Sequence, residues 1–155
     1  MIPGEQLKRV HSLNRQAEVC CGKGQYQDAE PLYRAALSLA EATCGAEHIE
    51  VSTILNNLAV VYKYLGRYAE AGQLYQRALV IMERALGPAH PEMATIYHNL
   101  GGLEHAAGNF LRGEPFARRS VELREKALGP DHPEVAAGHR RTGRHPRRAA
   151  EVAIG

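Results

Sequence analysis

The chain repeats itself at a spacing of 42 residues, and this period restricts its fold more than any single residue does. The run Gly-Pro-Ala-His-Pro-Glu at 87–92 recurs as Gly-Pro-Asp-His-Pro-Glu at 129–134, and a weaker copy, Gly-Ala-Glu-His-Ile-Glu, occupies 45–50. Segments 48–87 and 90–129 are identical at 12 of 40 aligned positions. A period of this length is typical of a solenoid, in which each copy is one structural unit that stacks on the next.

Each copy contains two runs of apolar residues at helical spacing. In the second copy the first run is Leu55, Leu58, Ala59 and Tyr62, and the second is Ala71, Leu74, Tyr75, Ala78, Leu79 and Met82. We call the two predicted helices helix A and helix B. Gly66 and Gly87 follow the runs and are expected to end the helices in the left-handed conformation, and Pro91 is expected at the first position of the next helix A. Each copy is therefore predicted to be an antiparallel helix pair.

Two repeat positions always carry a small residue, which predicts close approach of the helices. They are Ala17, Ala59 and Gly101 in helix A, and Ala29, Ala71 and Gly113 in helix B. The third copy departs most from the pattern, because Glu104 and Ala117 replace tyrosines and Gly101-Gly102 interrupts helix A. Each glycine inside a helix costs about 1 kcal/mol relative to alanine. We therefore expect the third copy to be the least stable of the three.

The combined motifs resemble the tetratricopeptide repeat, and the longer period resembles its kinesin light chain-like type, in which helix B is lengthened. The residues that carry the resemblance are Leu55, Leu58, Ala59, Tyr62, Gly66, Tyr68, Ala71, Tyr75 and Ala78, with Leu-Asn-Asn-Leu-Ala at 55–59 and Ala-Glu-Pro-Leu-Tyr at 29–33. It covers residues 5–137, with copies at about 5–45, 48–87 and 90–129 and the start of a fourth. The resemblance implies an all-α, right-handed superhelical solenoid of antiparallel helix pairs that serves as a protein-protein interaction scaffold.

In the repeats that the sequence resembles, helix A lines a concave trough that binds a peptide or a partner protein. The corresponding residues here are Asn14, Glu18, Cys21, Asn56, Asn57, Val60, Lys63, His98, Asn99 and His105. An asparagine amide both donates and accepts, so it can pair with the backbone of an extended peptide. For Asn57 and Asn99 the alternative is a hydrogen bond to a neighbouring helix that fixes repeat stacking. Asn56 favours peptide contact because it shares a face with Lys63.

Other classes of function find little support in the sequence. A glycine-rich phosphate loop and a Gly-x-Ser-x-Gly motif are both missing, so neither an enzyme nor a cofactor is predicted. His98 and His105 are separated by about 10.5 Å along a helix, too far to share a zinc ion, so no metal site is predicted. The chain lacks an apolar run of about 18 residues and a signal-peptide pattern at its start, so we predict a cytoplasmic protein without a membrane span.

The last eighteen residues differ in composition from the rest of the chain. Segment 138–155 carries five arginines against Glu151 alone, whereas 1–137 holds 14 Lys and Arg against 16 Asp and Glu. Nucleic-acid or anionic-surface binding through this arginine-rich segment is the alternative function, although such charge runs are more often solvated ends. The fourth copy fails within it, so 138–155 is predicted to be a cap or a tail. If it does not cover the third copy, self-association through the C-terminal end is expected.

Overall fold

The computed structural model describes residues 3–129 and Pro133, and every regular element among these residues is an α-helix. The helices are α1 (Pro3–Gly22), α2 (Tyr26–Cys44), α3 (Ile49–Tyr64), α4 (Tyr68–Leu86), α5 (Met93–Ala106) and α6 (Phe110–Leu128). The chain forms two compact units, Met1–Pro88 with α1 to α4 and Ala89–Gly155 with α5 and α6. Helices A and B of each copy pack against each other, which confirms the predicted all-α class and the helix pairs.

Short turns make the helices of each pair antiparallel. In the second copy α3 and α4 are joined by residues 65–67, and Gly66 adopts the left-handed conformation with a φ of 78°. The Arg67 N–H donates to the Tyr62 carbonyl at 2.8 Å, as in a Schellman cap, so the chain leaves α3 and reverses within one turn. Gly87 ends α4 with a φ of 91°, so the predicted role of both glycines is confirmed.

A histidine side chain accepts a hydrogen bond at the start of the second and third copies. His48 Nδ1 accepts from the Glu50 N–H at 3.1 Å, and His90 Nδ1 accepts from the Glu92 N–H at 3.2 Å. Helix α3 starts directly after His48, but α5 starts only at Met93. The prediction that Pro91 is the first helical residue is therefore wrong by two residues. A tight turn precedes α5, because the His90 carbonyl accepts from the Met93 N–H at 3.1 Å.

The core of the first unit contains the residues that the helical periodicity predicted, except Leu74, which is only half-buried. The buried side chains of α3 include Leu55, Leu58, Ala59 and Tyr62, and those of α4 include Ala71, Tyr75 and Ala78. Tyr75 is the largest fully buried side chain of the described residues, and its hydroxyl has no hydrogen-bond partner among them. Burial raises the pKa of Tyr75 because a phenolate in this apolar surrounding would lose its hydration.

A cluster of charged side chains around Tyr62 joins the two helix pairs of the first unit. Arg34 of α2 donates to the Tyr62 hydroxyl from Nε at 2.9 Å and from Nη2 at 2.5 Å. The Arg67 guanidinium lies 4.3 Å from the centroid of the Tyr62 ring, and its Nη1 is 2.7 Å from Glu30 Oε1 on α2. Arg67 also donates to Glu70 at 2.6 Å, and this bond lowers the pKa of Glu70. The cluster ties α2 to α3 and to the start of α4.

Glycines bring the two helices of the second unit into close contact. A Cβ atom at Gly113 would lie 3.0 Å from the Gly101 carbonyl oxygen and 3.1 Å from Glu104 Cβ. A Cβ atom at Gly101 would lie 3.3 Å from the Ala117 nitrogen. The predicted close approach at these positions is confirmed, and in this pair only glycine fits there without a shift of the backbone.

Candidate functional site

The predicted trough residues of the first unit lie on α1 and α3, the A helices of the first two copies. On α1, Asn14 is half-buried and Glu18 is exposed. On α3, Asn56, Asn57 and Lys63 are all half-buried. These side chains are therefore partly or fully accessible at their outer ends, whereas the core residues of the same helices are buried.

Two asparagines of this set have unused hydrogen-bonding capacity. Among the residues that the structure describes, the buried Oδ1 of Asn14 accepts no hydrogen bond and the Asn57 amide makes none. The two helices that carry them approach each other where His11 Nε2 lies 3.4 Å from Glu50 Oε1. A buried acceptor without a partner costs about 1–3 kcal/mol, so a conformation that uncovers this oxygen and pairs it with a donor would recover free energy.

An ammonium group and an aromatic ring lie together at the end of α3. Lys63 Nζ is 5.4 Å from the centroid of the Tyr64 ring, and this ring stacks on Tyr26 with centroids 4.5 Å apart. Tyr64 is 57% exposed, so its ring is available for contact. The sequence analysis missed Tyr64. The available signal was its departure from the repeat, since Gly22 and Ala106 occupy the same position in the other copies.

Cys21 occupies the repeat position of Lys63 in the first copy and lies close to Tyr33. Burial raises the pKa of the Cys21 thiol. The pKa of Tyr33 is also raised, mainly by burial and to a smaller extent by the nearby Cys21. Both groups are therefore neutral near pH 7, and Cys21 lacks the thiolate character of an activated nucleophile. Val60, the remaining trough position of α3, is half-buried.

The second unit carries its predicted trough residues on α5. His98 and Asn99 are half-buried and His105 is exposed. The His105 ring packs against Phe110 at the start of α6, with centroids 4.8 Å apart and an interplanar angle of 67°. Within the described part of the chain, no group of three or more His, Cys, Asp and Glu side chains is placed to hold a metal ion.

The basic segment 138–155 lies outside the residues that the structure describes. The same is true of the fourth copy beyond Gly129, with the exception of Pro133. Its expected roles as cap, tail, self-association site or nucleic-acid contact therefore stay predictions. Among the described helices, none combines the length and the apolar character that crossing a lipid bilayer requires.

Comparison with protein families finds the same repeat family along most of the chain. Tetratricopeptide repeat models match residues 9–79 and 50–111, and a second model of the same repeat matches 93–134. The matches span all three predicted copies and well over half of the chain. A comparison with curated proteins finds no match.

Comparison with solved structures shows which folds the chain is similar to. The crystal structure of BtubC (BKLC) from P. vanneervenii has a TM-score of 0.78 at 24% identity, covering 86% of this chain and 54% of that one. A putative kinesin light chain of Podosopora anserina with nearly identical TPR-like repeats has a TM-score of 0.77 at 24% identity, covering 86% and 64%. The N-terminal domain of STI-1 from C. elegans has a TM-score of 0.62 at 15% identity, covering 90% and 98%. At these identities the likeness concerns the fold, and the chain spans less than two thirds of the first two proteins.

Proposed function

Because the chain belongs to the tetratricopeptide repeat family, with repeats of the kinesin light chain-like type, we propose that it is a scaffold that binds an extended segment of a partner protein along α1 and α3. Tetratricopeptide repeats generally mediate protein–protein interaction, and the family is generally non-enzymatic. Stacked repeats of this kind create extended surfaces that suit a long ligand rather than a small molecule.

The observation that carries the proposal is the unused hydrogen-bonding capacity of Asn14 and Asn57. They lie on α1 and α3, which approach each other at His11 and Glu50. An extended peptide laid across both helices would contact the Asn57 amide directly, and it would pair with the buried Asn14 oxygen only after a local shift that uncovers this atom. A side-chain amide offers the same donor and acceptor pair as a peptide bond. Two such amides would fix the direction and the register of a bound main chain without reading its side chains.

Side-chain selectivity would come from the end of α3. Lys63 supplies the one positive charge among the seven proposed trough residues of the first unit, and Glu18 supplies the one negative charge. The exposed Tyr64 ring beside Lys63 offers a flat apolar surface for a side chain of the ligand. Because the charges of Lys63 and Glu18 cancel, the trough is better suited to recognise a ligand by hydrogen bonds and ring contact than by net charge.

In the second unit, His98, Asn99 and His105 on α5 are the proposed contacts with a partner. His105 would present the edge of its ring that Phe110 leaves uncovered. A neutral imidazole also donates and accepts, so these three side chains have the same chemical character as the asparagines of the first unit.

Selection from a random peptide library on the immobilised full chain tests the proposal. Affinities of the selected peptides are then measured by fluorescence anisotropy. A variant with Asn14→Ala, Asn57→Ala and Lys63→Ala should bind at least about tenfold more weakly, since lost hydrogen bonds of about 0.5–1.5 kcal/mol each add up to that factor.

The matched control removes two amides and one cation from the exposed face of α4, with Gln73→Ala, Gln76→Ala and Arg84→Ala, and should bind normally. Equal affinity of the trough variant and the control would show that the site is elsewhere. A chain ending at residue 137 should also keep its affinity. Loss of binding in that shortened chain would assign the activity to the basic segment.

A further inference from the structure

Helix α6 carries the same three side chains through which α2 receives the next helix pair. The α2 triad is Tyr26, Glu30 and Arg34, and the α6 triad, two repeats of 42 residues further along, is Phe110, Glu114 and Arg118. Both triads combine an aromatic ring, a glutamate and an arginine at successive turns of helix B. The spacing of four residues places all three on one face of the helix.

In the first unit each member of the α2 triad contacts the α3–α4 pair. The contacts are the Tyr26–Tyr64 ring stack with centroids 4.5 Å apart, the Glu30–Arg67 ion pair at 2.7 Å and the Arg34–Tyr62 hydrogen bond at 2.9 Å. Together they provide ring contact, charge pairing and a hydrogen bond, so they specify one orientation of the incoming pair.

The α6 triad is exposed. Phe110 is 61% exposed and the adjacent Leu111 is 87% exposed, an unusual placement for two large apolar side chains on one helix turn. Glu114 and Arg118 form an ion pair with each other, as Glu30 and Arg34 do. In α2 this internal pair is retained while both of its members also bond the next helix pair. The α6 pair is therefore in the arrangement that accepts a partner.

The triad is not a general consequence of the repeat. Helix α4 is also a helix B, and at the same three positions it carries Tyr68, Gly72 and Gln76. Only the ring is kept there, and neither the acid nor the base is present. The recurrence of all three groups on α6 therefore requires an explanation of its own.

We infer that the face of α6 formed by the α6 triad and Leu111 is a docking surface for a helix pair of the α3–α4 type that belongs to a partner chain. The residues that the partner must carry are those that the α2 triad binds, namely Tyr62, Tyr64 and Arg67. They are two tyrosines separated by one residue, followed three positions later by an arginine. The partner is thus another α-helical repeat protein with this Tyr-x-Tyr-x-x-Arg pattern at the end of a helix A.

Two nearer occupants do not fit this surface. In the chain's own fourth copy the three complementary positions hold Pro146, Arg148 and Glu151, and no aromatic residue follows Phe116. A second copy of the chain does carry the complement, but its α2 already binds those three residues. Neither the chain's fourth copy nor a folded second copy of the chain therefore supplies the helix pair that we infer for α6.

The first test uses the full chain and, as the separate probe, a second full-length chain in which Tyr26→Ala, Glu30→Ala and Arg34→Ala remove the α2 contacts of the α3–α4 pair. Binding measured by fluorescence anisotropy should weaken at least about tenfold when the chain carries Phe110→Ala and Arg118→Ala, the range expected for loss of a ring anchor and a charged hydrogen bond. The matched variant with Lys126→Ala and Leu128→Ala, further along α6, should bind the probe normally.

The second test places the same helix pair in the chain itself, by replacing residues 130–155 with a duplicate of 46–88. The melting temperature should rise by at least about 4 °C, since 1 kcal/mol shifts it by about 2–4 °C at this chain length. Phe110→Ala with Arg118→Ala should abolish this rise.

Three results would overturn the inference. A duplicate that leaves the melting temperature unchanged shows that α6 does not receive such a pair. A stabilising duplicate without binding of the separate probe shows that the surface takes only a covalently attached pair. If Phe110→Ala with Arg118→Ala destabilises the native chain but not a chain ending at residue 137, the chain's own C-terminal segment occupies the surface.

Discussion

The helix pairs α3–α4 and α5–α6 are identical at 12 of 40 aligned positions, yet their helices are held together in different ways. The first pair buries two aromatic rings, Tyr62 and Tyr75. The second has Glu104 and Ala117 at those positions, and its backbones meet at Gly101 and Gly113. The same repeat pattern therefore allows two kinds of helix packing. Large side chains fill the space between the helices in one pair, and glycines let the two backbones approach closely in the other.

The difference has energetic consequences. Burial of a large aromatic side chain contributes about 1.5–3 kcal/mol through the apolar surface it removes from water. A glycine inside a helix costs about 1 kcal/mol and is tolerated in the second pair because the close backbone contact needs it. We therefore expect the first pair to depend on side-chain volume and the second to depend on the absence of side chains.

The largest effect is expected from Tyr75→Ala. Because the ring is fully buried, its removal leaves a cavity and should lower the free energy of unfolding by about 3–5 kcal/mol. Urea unfolding followed by circular dichroism measures the change. The control is Tyr64→Ala, which removes an exposed ring and should cost about 1 kcal/mol. Equal losses in the two variants would contradict the idea that ring volume holds the first pair together.

The second pair should respond to the opposite change, Gly113→Ala. The added Cβ would lie 3.0 Å from the Gly101 carbonyl oxygen, so the helices must separate, at a cost of about 1–3 kcal/mol. Gly22→Ala is the control, because its Cβ would have no atom within 4 Å and alanine favours the helix by up to about 1 kcal/mol. A neutral Gly113→Ala would mean that the close contact is not required for stability.

Periodicity predicted these packing positions because the helical repeat decides which residues face the partner helix. Leu55, Leu58 and Ala59 were assigned to the core on this basis, and Gly101 and Gly113 to the close approach, and all are buried. These assignments depend only on spacing along the chain, which the sequence displays directly.

Contacts between helix pairs were not predictable in the same way. The Arg34–Tyr62 bond joins residues 28 positions apart, and the ring stack of Tyr26 on Tyr64 depends on how two helix pairs meet in space. The candidate site has the same limit. The repeat predicts that Asn57 belongs to the trough, but whether its amide has a hydrogen-bond partner among the described residues depends on atoms from distant parts of the chain.

Alkaline pH should destabilise the first unit selectively. Burial raises the pKa of Tyr33 and of Tyr75 above the ordinary value of about 10, so the folded state holds both protons after the unfolded state has released them. Their contribution is present in full below about pH 10 and decreases above it, by up to about 1.4 kcal/mol per pH unit for each tyrosine. Urea unfolding at pH 7, 9, 10 and 11 measures this decrease.

The variant Tyr75→Phe removes one of the two titrating groups and should reduce the loss between pH 10 and 11 by up to about 1.4 kcal/mol. Because α5–α6 has Glu104 and Ala117 at the tyrosine positions of the second copy, its amide protons should keep their protection factors longest as the pH rises. An equal decrease of protection in both units would contradict the assignment to buried tyrosines.

The smallest effect separates the two tyrosines of the first pair. Tyr62→Phe removes the hydroxyl that accepts two bonds from Arg34 and should cost about 0.5–1.5 kcal/mol, whereas Tyr75→Phe at pH 7 should be neutral or slightly stabilising because its hydroxyl has no partner among the described residues. In a double-mutant cycle Tyr62→Phe and Arg34→Ala should couple by about 0.5–1 kcal/mol, since they remove the same bond. If the two tyrosine variants lose equal stability and the cycle shows no coupling, then both tyrosines act through ring volume alone, and the Arg34 bond adds nothing to the joint between the helix pairs.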